Sequence, residues 1–127
     1  MYNHAPEGYD WPVCRLAQGE ATNVSTQDDV IYRDGDVTAF MAAAWWPNNR
    51  GHVLVVPNEH YENLYDLPPE LGTPIQRIIR DVALGFKATY DCTGVSTRQH
   101  NEPDGNQDVW HYHVHVFPRF RNEITCM

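Results

Sequence analysis

Cysteine is scarce. Cys14, Cys92 and Cys126 are three in number and far apart, and no Cys-x-x-Cys pair exists. That argues against a disulfide framework and against a cysteine-rich metal centre. Positive charge is also in short supply, with 9 Lys and Arg against 17 Asp and Glu, a formal net charge of −8. A long nucleic acid needs a cationic face, so it is a poor partner here. A single nucleotide needs only a few local donors and stays open. Long apolar runs are missing as well. The longest, Val37 to Trp46 with Thr38 inside it, falls well short of the ~20 residues that span a bilayer. The opening Met-Tyr-Asn-His-Ala-Pro-Glu has neither the basic nor the apolar block of a secretory leader. The expectation is a reducing, cytoplasmic setting without a membrane partner.

What is present suits one domain over residues 1–127, since 127 residues at 42% hydrophobic fill a single core. Residues 1–12 read as an irregular lead-in, and 121–127 as a short tail. Cys14 to Gly19 can form one helical turn. Val30-Ile31-Tyr32 and Val37 to Phe40 flank Asp34-Gly35-Asp36, a hairpin pattern. His52 to Val56, closed by Pro57, reads as a buried strand. Leu71, Ile75, Ile78, Ile79, Val82, Phe86 and Tyr90 form one apolar stripe at helical spacing. The helix can start at Pro69, or with Thr73 as cap before Pro74, and Gly94 marks its end. Val95 to His100 and Val109 to Phe117 are the remaining strands. The fold class is α+β, a mostly antiparallel sheet with one long helix.

The chemistry concentrates in Gln107-Asp108-Val109-Trp110-His111-Tyr112-His113-Val114-His115-Val116-Phe117. At a period of two, His111, His113 and His115 share one strand face, while Trp110, Tyr112, Val114 and Val116 share the face that rests on the core. Three readings are open. The histidines can simply face water or neighbours. They can ligate a metal, although the outer two lie ~13 Å apart along a strand and cannot both grip one ion; His52, His60 or His100 would then supply further ligands. Or one can act as a nucleophile at phosphorus, since neutral imidazole attacks well near pH 7 and its phosphoramidate is labile. The attacking ring must then keep its other nitrogen protonated and held by an acceptor such as a backbone carbonyl. Flanking histidines would stabilise the charge that builds on the phosphoryl oxygens and leaving group. Only the third reading accounts for both the number and the alternation.

These residues resemble the histidine triad (HIT) superfamily of nucleotide hydrolases and transferases. Tyr112, Val114, Val116 and Phe117 fill the apolar positions of its His-φ-His-φ-His-φ-φ signature. Pro47 to Pro57 with His60 is similar to its Pro…Gly-His-x-Leu-Val-x-Pro-x-x-His block. Pro118-Arg119 matches the fragile-histidine-triad and bacterial branches, and Cys14 to Glu20 resembles the N-terminal Cys-x-Ile-x-x-Gly-Glu stretch. The resemblance runs from about residue 14 to 120. It implies a HIT-like fold and a homodimer that extends the sheet. It also implies attack by His113 on the α-phosphate of a nucleoside phosphoramidate or dinucleoside polyphosphate, through a nucleotidyl-histidine that water releases. His111 and His115 would position phosphate and leaving group, with His52 in support. Gln107, Asp108, His100 and Trp45 would line the substrate. The nucleophile needs no cofactor, and Mg²⁺ is compatible with a polyphosphate substrate.

Several positions depart from that pattern. Many members carry a Cys-x-x-Cys that binds structural zinc. Trp11 stands at its first position, leaving Cys14 alone, so that zinc site is expected to be absent and His60 to be structural. Asp108 replaces a Ser or Thr, His100 an Asn or Gln, and Ala44 an acid or amide that would hold the ribose. The changes at Asp108 and Ala44 keep a non-catalytic nucleotide-binding module as the alternative.

Overall fold

The computed structural model describes residues 2–20, 27–42 and 52–121. The elements are α1 (Pro12–Ala17), β1 (Val30–Arg33), β2 (Val37–Met41), β3 (Val53–Pro57), α2 (Gly72–Thr89), β4 (Gly94–Arg98) and β5 (Val114–Arg119). The strands form one antiparallel sheet in the order β1-β2-β3-β5-β4. The β1–β2 hairpin closes where expected. The Asp34 carboxylate accepts from the amides of Asp36 (2.7 Å) and Val37 (2.9 Å), a side chain mimicking a turn.

The period-two pattern sorts the strands onto two cores. Val37, Ala39, Val53, Val55, Val114 and Val116 pack against Ile75, Ile78 and Phe86 of α2. On the opposite face, Phe40 and Val56 meet Val13, Leu16 and Ala17 of α1. Leu54 pairs with His115 in the β3–β5 ladder, which puts the His115 side chain on the α1 face. β5 therefore has a hydrocarbon face of Val114 and Val116 and a second face that carries His115 beside the buried Phe117.

Two boundaries differ from the sequence reading. The long helix starts at Gly72 after a 3₁₀ turn at Pro69–Leu71, and Leu71 rather than Thr73 is its cap. It ends at Thr89, five residues before Gly94, which opens β4. More consequential, β5 begins only at Val114. The Tyr112 amide donates to the carbonyl of Tyr61 at 2.6 Å, and the Trp110 amide to the Tyr9 hydroxyl at 3.3 Å. Those amides are spent on loops, so residues 109–113 follow the sheet without joining it.

The lead-in is fastened rather than loose. His4 donates through its backbone amide (2.9 Å) and its Nδ1 (2.7 Å) to the two oxygens of Glu62, a buried carboxylate. The His4 ring also stacks on Trp110, 5.8 Å between centroids. Residues 2–11 thus strap the segment that leads into β5. Among the described residues, no helix is long and apolar enough to cross a membrane.

Candidate active site

His113 lies at the entry to β5 and is 3% exposed. Its Nδ1–H donates to the carbonyl of His111 at 2.7 Å. A carbonyl only accepts, so the proton is assigned to Nδ1 and the lone pair to Nε2. Burial is the largest influence on this ring and draws its pKa below the ordinary value. The exposed Asp108 carboxylate acts in the opposite sense. A buried, neutral imidazole in one fixed tautomer is the form that can attack an electrophile. The carbonyl partner required of a nucleophilic histidine is therefore in place.

His115, two residues on, sits 4.8 Å from the His113 ring, centroid to centroid. Its Nδ1 lies 2.7 Å from Nε2 of His52, one of the two carrying the shared proton. His52 precedes β3 and stacks on Phe117 at 4.2 Å. Burial, followed by the neighbouring His113, lowers His52 to about 4 and His115 to about 3. His100, just after β4, donates Nδ1–H to the carbonyl of Gly105 at 2.9 Å and lies 6.0 Å from the His115 ring. Three chain segments thus bring His52, His100, His113 and His115 into one imidazole cluster. If His52 Nε2–H donates to His115 Nδ1, neutral His115 keeps an Nε2–H that can donate to a phosphoryl oxygen.

Three expected site residues fall elsewhere. His111 does not join the row. It is 1% exposed; its Nε2–H donates to the Pro57 carbonyl at 2.8 Å, and its Nδ1 lies 3.0 Å from the Cys14 sulfur. Both ring nitrogens are engaged away from His113, because the backbone at 109–113 leaves the strand and strict alternation does not govern it. Gln107 is held by backbone groups of neighbouring loops. Its Nε2 donates to the carbonyls of Glu62 (2.6 Å) and Val109 (3.0 Å), and its Oε1 accepts from the Glu102 amide (2.8 Å). It pins three loops together, which is what a buried amide with both ends satisfied does. Trp45, like Ala44, lies outside the described residues.

A second cluster stands where the sequence reading expected no zinc site, Trp11 replacing a cysteine there. Cys14 of α1, His60 after β3 and His111 place one donor atom each within 4.8 Å of one another. The Cys14 sulfur is 3.3 Å from Nδ1 of His60, and the two histidine Nδ1 atoms are 3.5 Å apart. Burial pushes the Cys14 thiol up and brings His111 down to about 4. The donors are 46 and 97 residues apart in the chain, and the only hint was the Trp11-x-x-Cys14 spacing. Three soft or borderline donors suit zinc, so the residues present fit the ion in three positions of four. An open apolar groove of about 300 Å³ lies between β1 and α2, lined by residues such as Ile31, Tyr32, Ile78, Phe86 and Tyr90. It holds none of these histidines.

The HIT domain model matches residues 23–122. An uncharacterized HIT-like protein of Methanocaldococcus jannaschii is 32% identical over 111 residues, covering 87% of this chain and 79% of its own. The structure of a HIT family protein from Bacillus anthracis superposes with a TM-score of 0.78 at 26% identity, over 89% of this chain and 75% of that one. A zinc-bound histidine triad family protein from Mycobacterium smegmatis gives 0.74 at 26% identity, over 87% and 76%. Fold, signature and a match across most of the chain agree, and the chain belongs to the HIT domain family.

Proposed function

We propose that this chain is a nucleotide hydrolase or transferase that cleaves at the α-phosphate of a nucleoside phosphoramidate or dinucleoside polyphosphate. The observation that carries this reading is the 2.7 Å bond from His113 Nδ1–H to the His111 carbonyl. It leaves Nε2 as a neutral nucleophile of fixed direction. Nε2 attacks the α-phosphorus, an N–P bond forms, and the bond to the leaving group breaks, its electron pair going to that group with a proton taken from solvent, while Nδ1–H stays on the His111 carbonyl. Water then attacks phosphorus, the N–P bond breaks back to imidazole, and a mononucleotide leaves. His52 Nε2, bonded to His115 Nδ1, fixes the tautomer that leaves His115 Nε2–H as a donor to the phosphoryl oxygens as their charge redistributes. The carboxylate of Asp108, near His113 and exposed, favours a cationic ring there and so supports the phosphoramidate intermediate.

His113→Ala is expected to abolish turnover of adenosine phosphoramidate and diadenosine polyphosphates while leaving the unfolding transition in place. The unmodified chain, quenched during turnover, should carry an acid-labile nucleotidyl adduct on His113. A folded His113→Ala variant that still turns over substrate would overturn the reading. Nucleotide binding with neither turnover nor adduct would favour the non-catalytic module.

The same reading includes a homodimer. β1 is an edge interrupted by a register shift between Val30 and Tyr32, whereas β4 is a regular edge that, among the described residues, pairs only with β5. Bulges protect an edge from pairing and a regular edge invites it, so β4 is where a second copy would extend the sheet. Sedimentation at twice the chain mass is expected, and a strictly monomeric species at micromolar concentration would refute it.

A further inference from the structure

We propose that His100 is a further catalytic residue: its Nε2 gives a proton to the departing group in the first step and takes one from the attacking water in the second. The role rests on the hydrolase reading and deepens it, because it favours substrates whose leaving group departs only when protonated, an amine above all.

The tautomer carries the inference. Glu102 takes a left-handed φ of 67° and Pro103–Gly105 form a 3₁₀ turn, which folds the Gly105 carbonyl back onto the His100 ring. His100 Nδ1–H donates to that carbonyl at 2.9 Å. A carbonyl only accepts, so the neutral ring carries its lone pair on Nε2. Neutral His100 can therefore receive a proton at Nε2 but cannot donate from it. Protonated His100 keeps the Gly105 bond and presents a second N–H that can be given away.

The other imidazoles of the cluster are committed differently. His113 Nε2 becomes bonded to phosphorus. Charging His115 would cost Nδ1 its bond from His52, and burial holds His115 at about 3 and His52 at about 4. Neither is a source of protons near neutral pH. His100 is half-buried and its bond to Gly105 is exposed, so water can reload the ring. Its position also suits the leaving side. In-line attack from ~3–3.5 Å puts the leaving atom about 5 Å from the attacking nitrogen, so its acid stands farther out than the ring beside the nucleophile. His115 lies 4.8 Å from His113, and His100 is the next imidazole, 6.0 Å from His115 between centroids. The charged and titratable groups around it are Arg98 of β4, His113, His115 and Asp108 at the entry to β5, and Glu102 and Asp104 of its own loop. A proton on His100 opposes one on His113 or His115, which keeps the inner rings neutral.

The proton cycle closes. Protonated Nε2 gives its proton to the leaving group as that group takes the electron pair of its bond to phosphorus. Neutral Nε2 then accepts a proton from the water that attacks phosphorus, while the N–P bond returns its electrons to His113. The mononucleotide leaves and His100 is again protonated, so the proton spent on the leaving group is replaced from solvent water.

The test compares two substrates of the full chain by kcat/KM: an AMP alkylamide, whose amine must be protonated to leave, and AMP p-nitrophenyl ester, whose phenolate leaves unaided. With the unaltered chain, raising the pH strips Nε2 of its proton, so the amide should slow on the alkaline side while the ester does not. His100→Gln keeps a hydrogen-bond donor and transfers no proton. It should slow the amide by roughly a hundredfold or more, leave the ester within a few-fold, and abolish the alkaline fall. Should that variant not fold, the unaltered chain in D₂O still decides: the amide should show a normal solvent isotope effect on kcat/KM and the ester none. Equal slowing of both substrates by His100→Gln, or the same pH profile and isotope effect for both, would overturn the role of His100 with the hydrolase reading intact. No turnover of either substrate by the unaltered chain would overturn both.

Discussion

Folding holds the His52 ring neutral, and the cost of doing so should be measurable as acid sensitivity. The side chain is 5% exposed, and burial lowers its pKa from 6.5 to about 4. In the unfolded chain it protonates near 6.5. Between about pH 6.5 and 4 the unfolded state therefore binds more protons, and stability falls as the pH falls through that window. From pH 7 to pH 5 the unfolded ring becomes almost fully charged while the folded ring stays almost neutral. Linkage over that interval gives a loss of about 2 kcal/mol for this one residue. Against a typical 5–15 kcal/mol for a domain, roughly that loss is easily resolved. His52→Gln removes the titrating ring and keeps a polar atom that can reach His115 Nδ1. Urea unfolding followed by tryptophan fluorescence, at pH 7 and pH 5 for both proteins in chelator, reads the change at His52 together with that at its bonded neighbour His115. The variant should lose about 2 kcal/mol less than wild type between the two conditions. Equal losses would show that His52 is not held neutral by the fold, and the reasoning about the imidazole cluster would fail with it.

Two further outcomes follow from particular bonds. Gln107→Ala removes three hydrogen bonds, one buried and two part-buried, and should cost about 2–3 kcal/mol at roughly 1 kcal/mol each. If Gln107 instead bound phosphate, the variant would unfold like wild type and show a raised KM. His113→Ala also empties a buried position and loses one hydrogen bond, so its urea midpoint should fall while cooperative unfolding persists and turnover disappears altogether.

Much of the architecture was legible because local periodicity and burial are the same information. Ile75, Ile78 and Phe86 recur at helical spacing and are the residues α2 buries. Val114 and Val116 alternate with His115, and the sheet puts them on opposite faces. The His113 geometry was legible as well, since a nucleophilic imidazole needs an acceptor for its other nitrogen, and the chain supplies one two residues away.

The sequence by itself therefore determined the elements and the core-facing residues, which depend on neighbours within a few positions. Tertiary structure alone decided the fate of His111 and Gln107. Their partners, Cys14, Pro57 and Glu62, are 45 or more residues away, and no periodicity encodes such distances. The alternating row was expected to act as one unit. Residues 109–113 leave the strand because their amides bond to Tyr61 and Tyr9, and once the backbone departs from the pleat, a period of two no longer says where a side chain points.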